Sequence, residues 1–218
     1  MAMNKQSVLS AILEIGIVPV VRTSSAETAV RAIEAVVRGG IRAAEITMTV
    51  PGALHALEKL ADQFGDKIVL GAGTVLDPET ARACMLAGAE FFVTPALNLR
   101  TIEMARRYSK AIMPGALTPT EVLAAWEAGA DMVKVFPCGA LGGPKYIRAL
   151  KAPFPQIEMI PTGGVNLETT AEFFKAGACA VAVGAELIDA KTIAEERYEV
   201  FEERARQFLG EVAKGRAK

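Results

Sequence analysis

The chain has 218 residues, 51% of them hydrophobic, and a formal net charge of −1. That size suits one large α/β domain, and the balanced charge offers nothing to attract nucleic acid or an anionic membrane surface. Cys84, Cys138 and Cys179 lie far apart with no CxxC pair, and His55 is the only histidine, which argues against a disulfide scaffold or a zinc site. The elements then follow in chain order. "KQSVLSAILEIG" (5–16) has a short helical pattern interrupted by Glu14, without the basic-then-apolar order of a signal peptide. No apolar run reaches the length of a membrane span, and the expectation is a soluble cytoplasmic protein. Eight β-branched apolar runs read as strands: "GIVPVVR" (16–22), "AAEITMT" (43–49), "KIVLGAGTV" (67–75), "EFFVTPAL" (90–97), "AIMPGAL" (111–117), "DMVKVFP" (131–137), "IEMIPTGG" (157–164) and "CAVAVGA" (179–185). Amphipathic stretches such as "SAETAVRAIEAVV" and "TPTEVLAAWEA" separate them. Several of these stretches end in glycine, as in "VVRGG" (36–40), "CMLAGA" (84–89), "AWEAGA" (125–130) and "FFKAGA" (173–178). The tail "TIAEERYEVFEERARQF" (192–208) reads as a solvated, charge-laced helix with an apolar stripe.

Eight strand–helix units with no linker imply a parallel sheet, closed as a single (β/α)₈ barrel with an N-terminal helix over residues 1–218; an open doubly wound sheet is the rival. In a barrel the outer strand face packs on helices and must be apolar, so polar residues that alternate with apolar ones point inward. Glu45, Thr47 and Thr49 alternate with Ile46 and Met48. Met132, Lys134 and Phe136 alternate with Val133 and Val135. An inward lysine and an inward glutamate thus face each other near strand C-termini, where barrel active sites lie. Two readings stand at this point. One is a buried ion pair that only satisfies itself. The other is an amine nucleophile, its pKa lowered by burial, that forms a Schiff base with a ketone while the carboxylate moves protons.

The other strand ends add candidates. Thr74 follows two glycines in "GAGT", as a glycine turn or a close approach to ligand. "PTGG" (161–164) and "VGAE" (183–186) stand where barrels bind phosphate through backbone N–H groups. Arg22, at the end of the first run, is either a rim salt bridge or a two-pronged carboxylate holder. Cys138 has no histidine partner and reads as a small filler, and His55 as a helix surface residue.

These segments resemble a known family. "VPVVR", "EITMTVPGAL", "GAGTVLDPE", "FFVTPAL", "MPGALTPTE", "VKVFP", "GGPKYIRALKAPFP", "PTGGV" and "AVAVGAELI" together resemble the class I 2-keto-3-deoxy-6-phosphogluconate aldolases, which are also described as 4-hydroxy-2-oxoglutarate aldolases. The resemblance implies a (β/α)₈ fold, a homotrimer, and no metal or organic cofactor. It implies Lys134 as the Schiff-base lysine and Glu45 as the acid/base. It also implies Thr74 and Pro95 along the pyruvyl end, Phe136 beside the lysine, and Gly163 and Gly164 at the phosphate. Two positions depart from the family pattern. Thr49 stands where members carry the arginine that holds the pyruvyl carboxylate, which leaves Arg22 as the substitute. Ala185 stands in place of a phosphate-binding serine, followed by Glu186. The expected reaction is cleavage of a 4-hydroxy-2-oxo acid to pyruvate and an aldehyde. The substrates are 2-keto-3-deoxy-6-phosphogluconate and 4-hydroxy-2-oxoglutarate, with the galactonate epimer as an alternative. A phosphate-binding barrel isomerase or synthase would need no amine nucleophile, and a barrel that only binds metabolites would need neither Lys134 nor Glu45.

Overall fold

Eight strand-like runs separated by helical ones become nine strands and ten helices in the computed structural model, which describes residues 3–217. In chain order they are α1 (Lys5–Ile15), β1 (Ile17–Val21), α2 (Ala26–Arg38), β2 (Ala43–Thr47), α3 (Ala53–Phe64), β3 (Val69–Gly73), α4 (Pro78–Leu86), β4 (Phe91–Val93), α5 (Leu99–Arg107), β5 (Ala111–Met113), β6 (Gly115–Ala116), α6 (Pro119–Glu127), β7 (Val133–Val135), α7 (Pro144–Lys151), β8 (Met159–Pro161), α8 (Leu167–Lys175), β9 (Val181–Val183), α9 (Ala190–Ala194) and α10 (Glu199–Arg216). The extra strand arises because Pro114 interrupts the fifth run. Proline has no N–H to give the ladder, and the chain resumes as β6. The Pro114 carbonyl still accepts the Lys134 N–H at 2.9 Å.

Local chemistry sets the helix boundaries. α2, α4, α5, α6 and α8 each begin at a Ser, Asp, Asn or Thr whose side chain accepts the N–H three residues on. One glycine of each predicted helix end is left-handed, with φ of 103° at Gly40, 99° at Gly88, 91° at Gly129 and 100° at Gly177. Beyond it, the N–H of Ile41 reaches back to the Val36 carbonyl, and that of Ala130 to Ala125.

The strands form a curled, parallel six-stranded sheet in the order β5-β4-β3-β2-β1-β9 and a parallel three-stranded sheet β6-β7-β8. A parallel bridge between Thr162 and Ala182 joins the end of β8 to β9. The fold is α/β, and side-chain alternation divides its core in two. Ile46, Phe92, Ile112, Val133, Val135, Val181 and Val183 pack outward with the helices. Val18, Val20, Ala43, Val69, Phe91, Met113, Met132 and Ile160 form a second cluster on the opposite strand face. Val8 and Ile12 of α1 join that inner cluster, and α1 packs against β1, β3 and β5. The N-terminal helix therefore covers the N-terminal strand ends and leaves the C-terminal ends for the site.

The C-terminal tail corrects the expectation of one solvated helix. It divides at Glu196, a non-glycine residue at φ 54°, into α9 and α10. α10 buries Phe201, Ala205, Phe208 and Val212 and packs against α2 and α8. The apolar stripe read in the sequence is the seam of that packing. His55 lies exposed on α3, as expected of a helix surface residue.

Candidate active site

Strand alternation delivers the two central groups. Lys134 is the middle residue of β7 and Glu45 the middle residue of β2, and both point to the inner face. Lys134 is 2% exposed and Glu45 1%. Charged groups this deeply buried are usually paired, yet no ion pair within 4.0 Å joins them among the described residues. Neither Glu45 carboxylate oxygen has a hydrogen-bond partner. The Lys134 ammonium lies 5.1 Å from the centroid of the Phe136 ring, within cation–π range. The self-satisfied ion pair is therefore not what the geometry shows. Two ionisable groups stand apart with unspent hydrogen-bonding capacity between them.

Their ionisation follows from burial. Desolvation lowers the Lys134 pKa from the ordinary lysine value; Glu45 opposes the shift and Arg22 adds to it. Desolvation raises the Glu45 pKa, and Lys134 and Arg22 pull it back. A lysine with more neutral amine and a carboxyl held nearer neutrality suit nucleophilic attack and proton transfer. Burial pushes the Cys138 thiol up to about 12, so it stays a neutral filler.

Arg22 follows β1 directly, is exposed, and makes no ion pair or side-chain hydrogen bond among the described residues. The rim salt bridge is thus absent, and the guanidinium faces a cavity of about 220 Å³. Phe136, Thr162, Gly163, Gly164, Ala185 and Glu186 line the same cavity. The N–H groups of Gly164, Ala185 and Glu186 have no acceptor within the described chain. Gly163 and Gly164, at φ 85° and 77°, make the turn that sets this wall.

Thr49, Thr74 and Pro95 lie at other strand ends and do not line that cavity. The Thr47 hydroxyl donates to the Val21 carbonyl at 3.0 Å, and the Thr49 hydroxyl lies 2.7 Å from it. Thr47 has one proton, so Thr49 must donate to Thr47 and turns only lone pairs outward. Thr49 therefore has no free donor to offer a ligand, whereas the Arg22 guanidinium is unpaired among the described residues. Thr74 follows β3 with φ 55°, an uncommon conformation for a β-branched residue. Pro95 follows β4, its backbone close against Gly115. The sequence reading passed over Thr162, a buried residue whose hydroxyl has no partner. Its position just before the two glycines of "PTGG" was the available signal.

A family profile described as "Aldolase: KDPG and KHG aldolase" matches residues 8–203. The chain belongs to the KDPG and KHG aldolase family. Among its curated relatives, the 2-dehydro-3-deoxy-6-phosphogalactonate aldolase of Escherichia coli (strain K12) is 36% identical over 172 residues, covering 78% of this chain and 83% of that protein. The 2-dehydro-3-deoxy-phosphogluconate aldolase of Treponema pallidum (strain Nichols) is 34% identical over 188 residues, covering 86% and 89%. The crystal structure of KDPG aldolase from Legionella pneumophila, with pyruvate captured at low pH as a covalent carbinolamine intermediate, superposes with a TM-score of 0.84 at 27% identity. It covers 91% of this chain and 96% of that one. The aldolase relatives are carbon–carbon lyases, and no helix among the described residues of this family member is long and apolar enough to cross a membrane.

Proposed function

We propose that the protein is a class I aldolase that reversibly cleaves 4-hydroxy-2-oxo acids. 2-Keto-3-deoxy-6-phosphogluconate would give pyruvate and glyceraldehyde 3-phosphate, and 4-hydroxy-2-oxoglutarate would give pyruvate and glyoxylate. The observation that carries the reading is the pair of buried, mutually unbonded groups Lys134 and Glu45. The neutral Lys134 amine attacks the C2 carbonyl, and the carbinolamine loses water to a protonated imine. The imine draws the C3–C4 bonding pair as the aldehyde leaves and the C4 hydroxyl gives up its proton. Glu45 is the group placed to take protons and return one to C3 of the enamine. Hydrolysis then frees pyruvate and the amine.

Arg22 holds the pyruvyl carboxylate in this reading, supported by its lack of an ion pair among the described residues and its electrostatic effect on both central groups. Thr74 and Pro95 line the pyruvyl end, and Gly163, Gly164 and Ala185 receive the phosphate through backbone N–H groups. One observation favours a second assignment: Arg22 lines the same cavity as those glycines, so it can instead meet the phosphate. The galactonate epimer remains the alternative substrate, since relatives named for the two sugars stand at 36% and 34% identity. We further read the two sheets as one closed (β/α)₈ barrel over a single domain, supported by the Thr162–Ala182 bridge and the strand that continues past Pro114. A cytoplasmic homotrimer completes the reading. Exposed Leu76 and Leu99, tied by a hydrogen bond from Asn98 to the Leu76 carbonyl, suit a contact between copies. Assay of pyruvate release from the gluconate, galactonate and oxoglutarate substrates tests the function. Release from none of them would refute it.

A further inference from the structure

We propose that Gly73 is a positioning residue for the acid/base carboxylate of Glu45, an inference that rests on the Schiff-base reading above. β2 and β3 pair in parallel with Glu45 opposite Gly71 and Thr47 opposite Gly73. The Glu45 side chain does not stay over its own partner. It leans two residues toward the C-terminal strand ends and lies across the backbone of Gly73. A Cβ at residue 73 would stand 2.5 Å from Glu45 Oε1, 2.8 Å from its Cδ and 3.3 Å from its Cγ. Carbon atoms pack at about 3.5–4.0 Å, so the carboxylate occupies the space that a side chain at 73 would take.

The backbone itself gives no reason for glycine there. The φ of Gly73 is not left-handed, and the β2–β3 ladder runs through Gly73 without a bulge. Glycine inside a regular strand weakens it and marks a close approach. Gly71 shows the alternative on the same strand and face: a Cβ there would overlap the buried ring of Phe91. Gly71 makes room for the core, and Gly73 makes room for the carboxylate. Nothing polar fixes that carboxylate, because neither oxygen accepts a hydrogen bond. Its place is set by the surfaces it lies on, and the Gly73 backbone is one of them.

Gly73→Ala tests this through the exchange of pyruvate C3 protons in deuterium oxide, with borohydride trapping of the pyruvyl imine as the second readout. A displacement on the scale of 1 Å costs about 10²-fold in rate. We expect exchange by Gly73→Ala to fall about 10²-fold, while the end point of trapping at saturating pyruvate stays at one group per chain. In the Glu45→Gln background, Gly73→Ala should change exchange by less than about threefold, as expected of residues that act as a unit. A purely structural role would lower trapping and exchange together, and additively with Glu45→Gln. Melting temperatures supply a test should Gly73→Ala fold poorly. In the Glu45→Ala background, Gly73→Ala should leave the melting temperature unchanged or raise it, and a fall there places the clash elsewhere and overturns the proposal. Parent-like exchange by Gly73→Ala, with trapping intact, overturns it alone. A parent enzyme that traps no pyruvate overturns the Schiff-base reading and this proposal with it.

Discussion

Removing the Arg22 guanidinium tests which end of the substrate it holds. Arg22 makes no ion pair or side-chain hydrogen bond among the described residues, so Arg22→Ala breaks nothing in the free protein. Its stability cost should stay within about 0.5 kcal/mol, the usual range for such a surface change. Binding is another matter. A charge-assisted hydrogen bond contributes about 1.5–3 kcal/mol, which at 1.4 kcal/mol per decade is about 10–150-fold in KM. The carboxylate is common to pyruvate and every 2-oxo acid, so all of them should suffer alike. An electrostatic consequence follows as well. Arg22 helps hold the Lys134 pKa below the ordinary lysine value, and without it that pKa moves up. The neutral amine then forms at higher pH, so the pH dependence of pyruvate trapping shifts alkaline. The assay is the pyruvate concentration dependence of borohydride trapping across pH, with kcat/KM for the phosphorylated and unphosphorylated substrates. A loss confined to the phosphorylated substrate would refute the carboxylate assignment and place Arg22 at the phosphate. No loss on any substrate would leave Arg22 without a role.

Three further outcomes are expected. Glu45→Gln should retain imine formation with pyruvate but slow C3 proton exchange and turnover by about 10²–10⁴-fold, the worth of a positioned acid/base; near-parent turnover would hand the proton to water or another residue. Ala185→Ser adds a hydroxyl beside the unpartnered N–H groups of the glycine wall, and should raise kcat/KM for the phosphorylated substrate while leaving 4-hydroxy-2-oxoglutarate cleavage nearly unchanged. Thr49→Val should change the KM for pyruvate by less than about threefold, since the Thr49 proton is committed to Thr47 and a lost neutral bond at an exposed site is worth under ~1 kcal/mol; a tenfold rise would make Thr49 a carboxylate donor after all.

Much of this site was legible because strand alternation has a period of two. Valines on both sides of Lys134 had to meet the helix layer, so the lysine had to turn inward, and the same logic placed Glu45. The four glycine-ended helices were equally plain. A fifth helix end hides the same geometry behind a serine. Ser109 adopts φ 53°, and the Lys110 N–H reaches back to Ala105 at 2.9 Å. Composition gives no sign of it, because only glycine advertises a left-handed residue in advance. Glu196 ends α9 in the same conformation and divided a tail that reads as one helix. The split at Pro114 was readable in principle, since proline cannot donate to the ladder. The lean of Glu45 across Gly73 was not readable. It depends on the register between two strands, which no single stretch of sequence contains. Whether Lys134 and Glu45 bond to each other is likewise a matter of distance across the inner face, beyond the reach of a pattern along one strand.

The central claim is that Lys134 is the amine that forms a Schiff base with pyruvate. Incubation with pyruvate and borohydride, followed by intact mass and peptide mapping, tests it most directly. The account predicts one reduced pyruvyl group per chain, on Lys134, and none in Lys134→Met. No other lysine among the described residues sits on the inner strand face beside a carboxylate, and the other lysines should stay unmodified under the same conditions. Labelling at a different lysine, or no covalent adduct in an active preparation, would contradict the account.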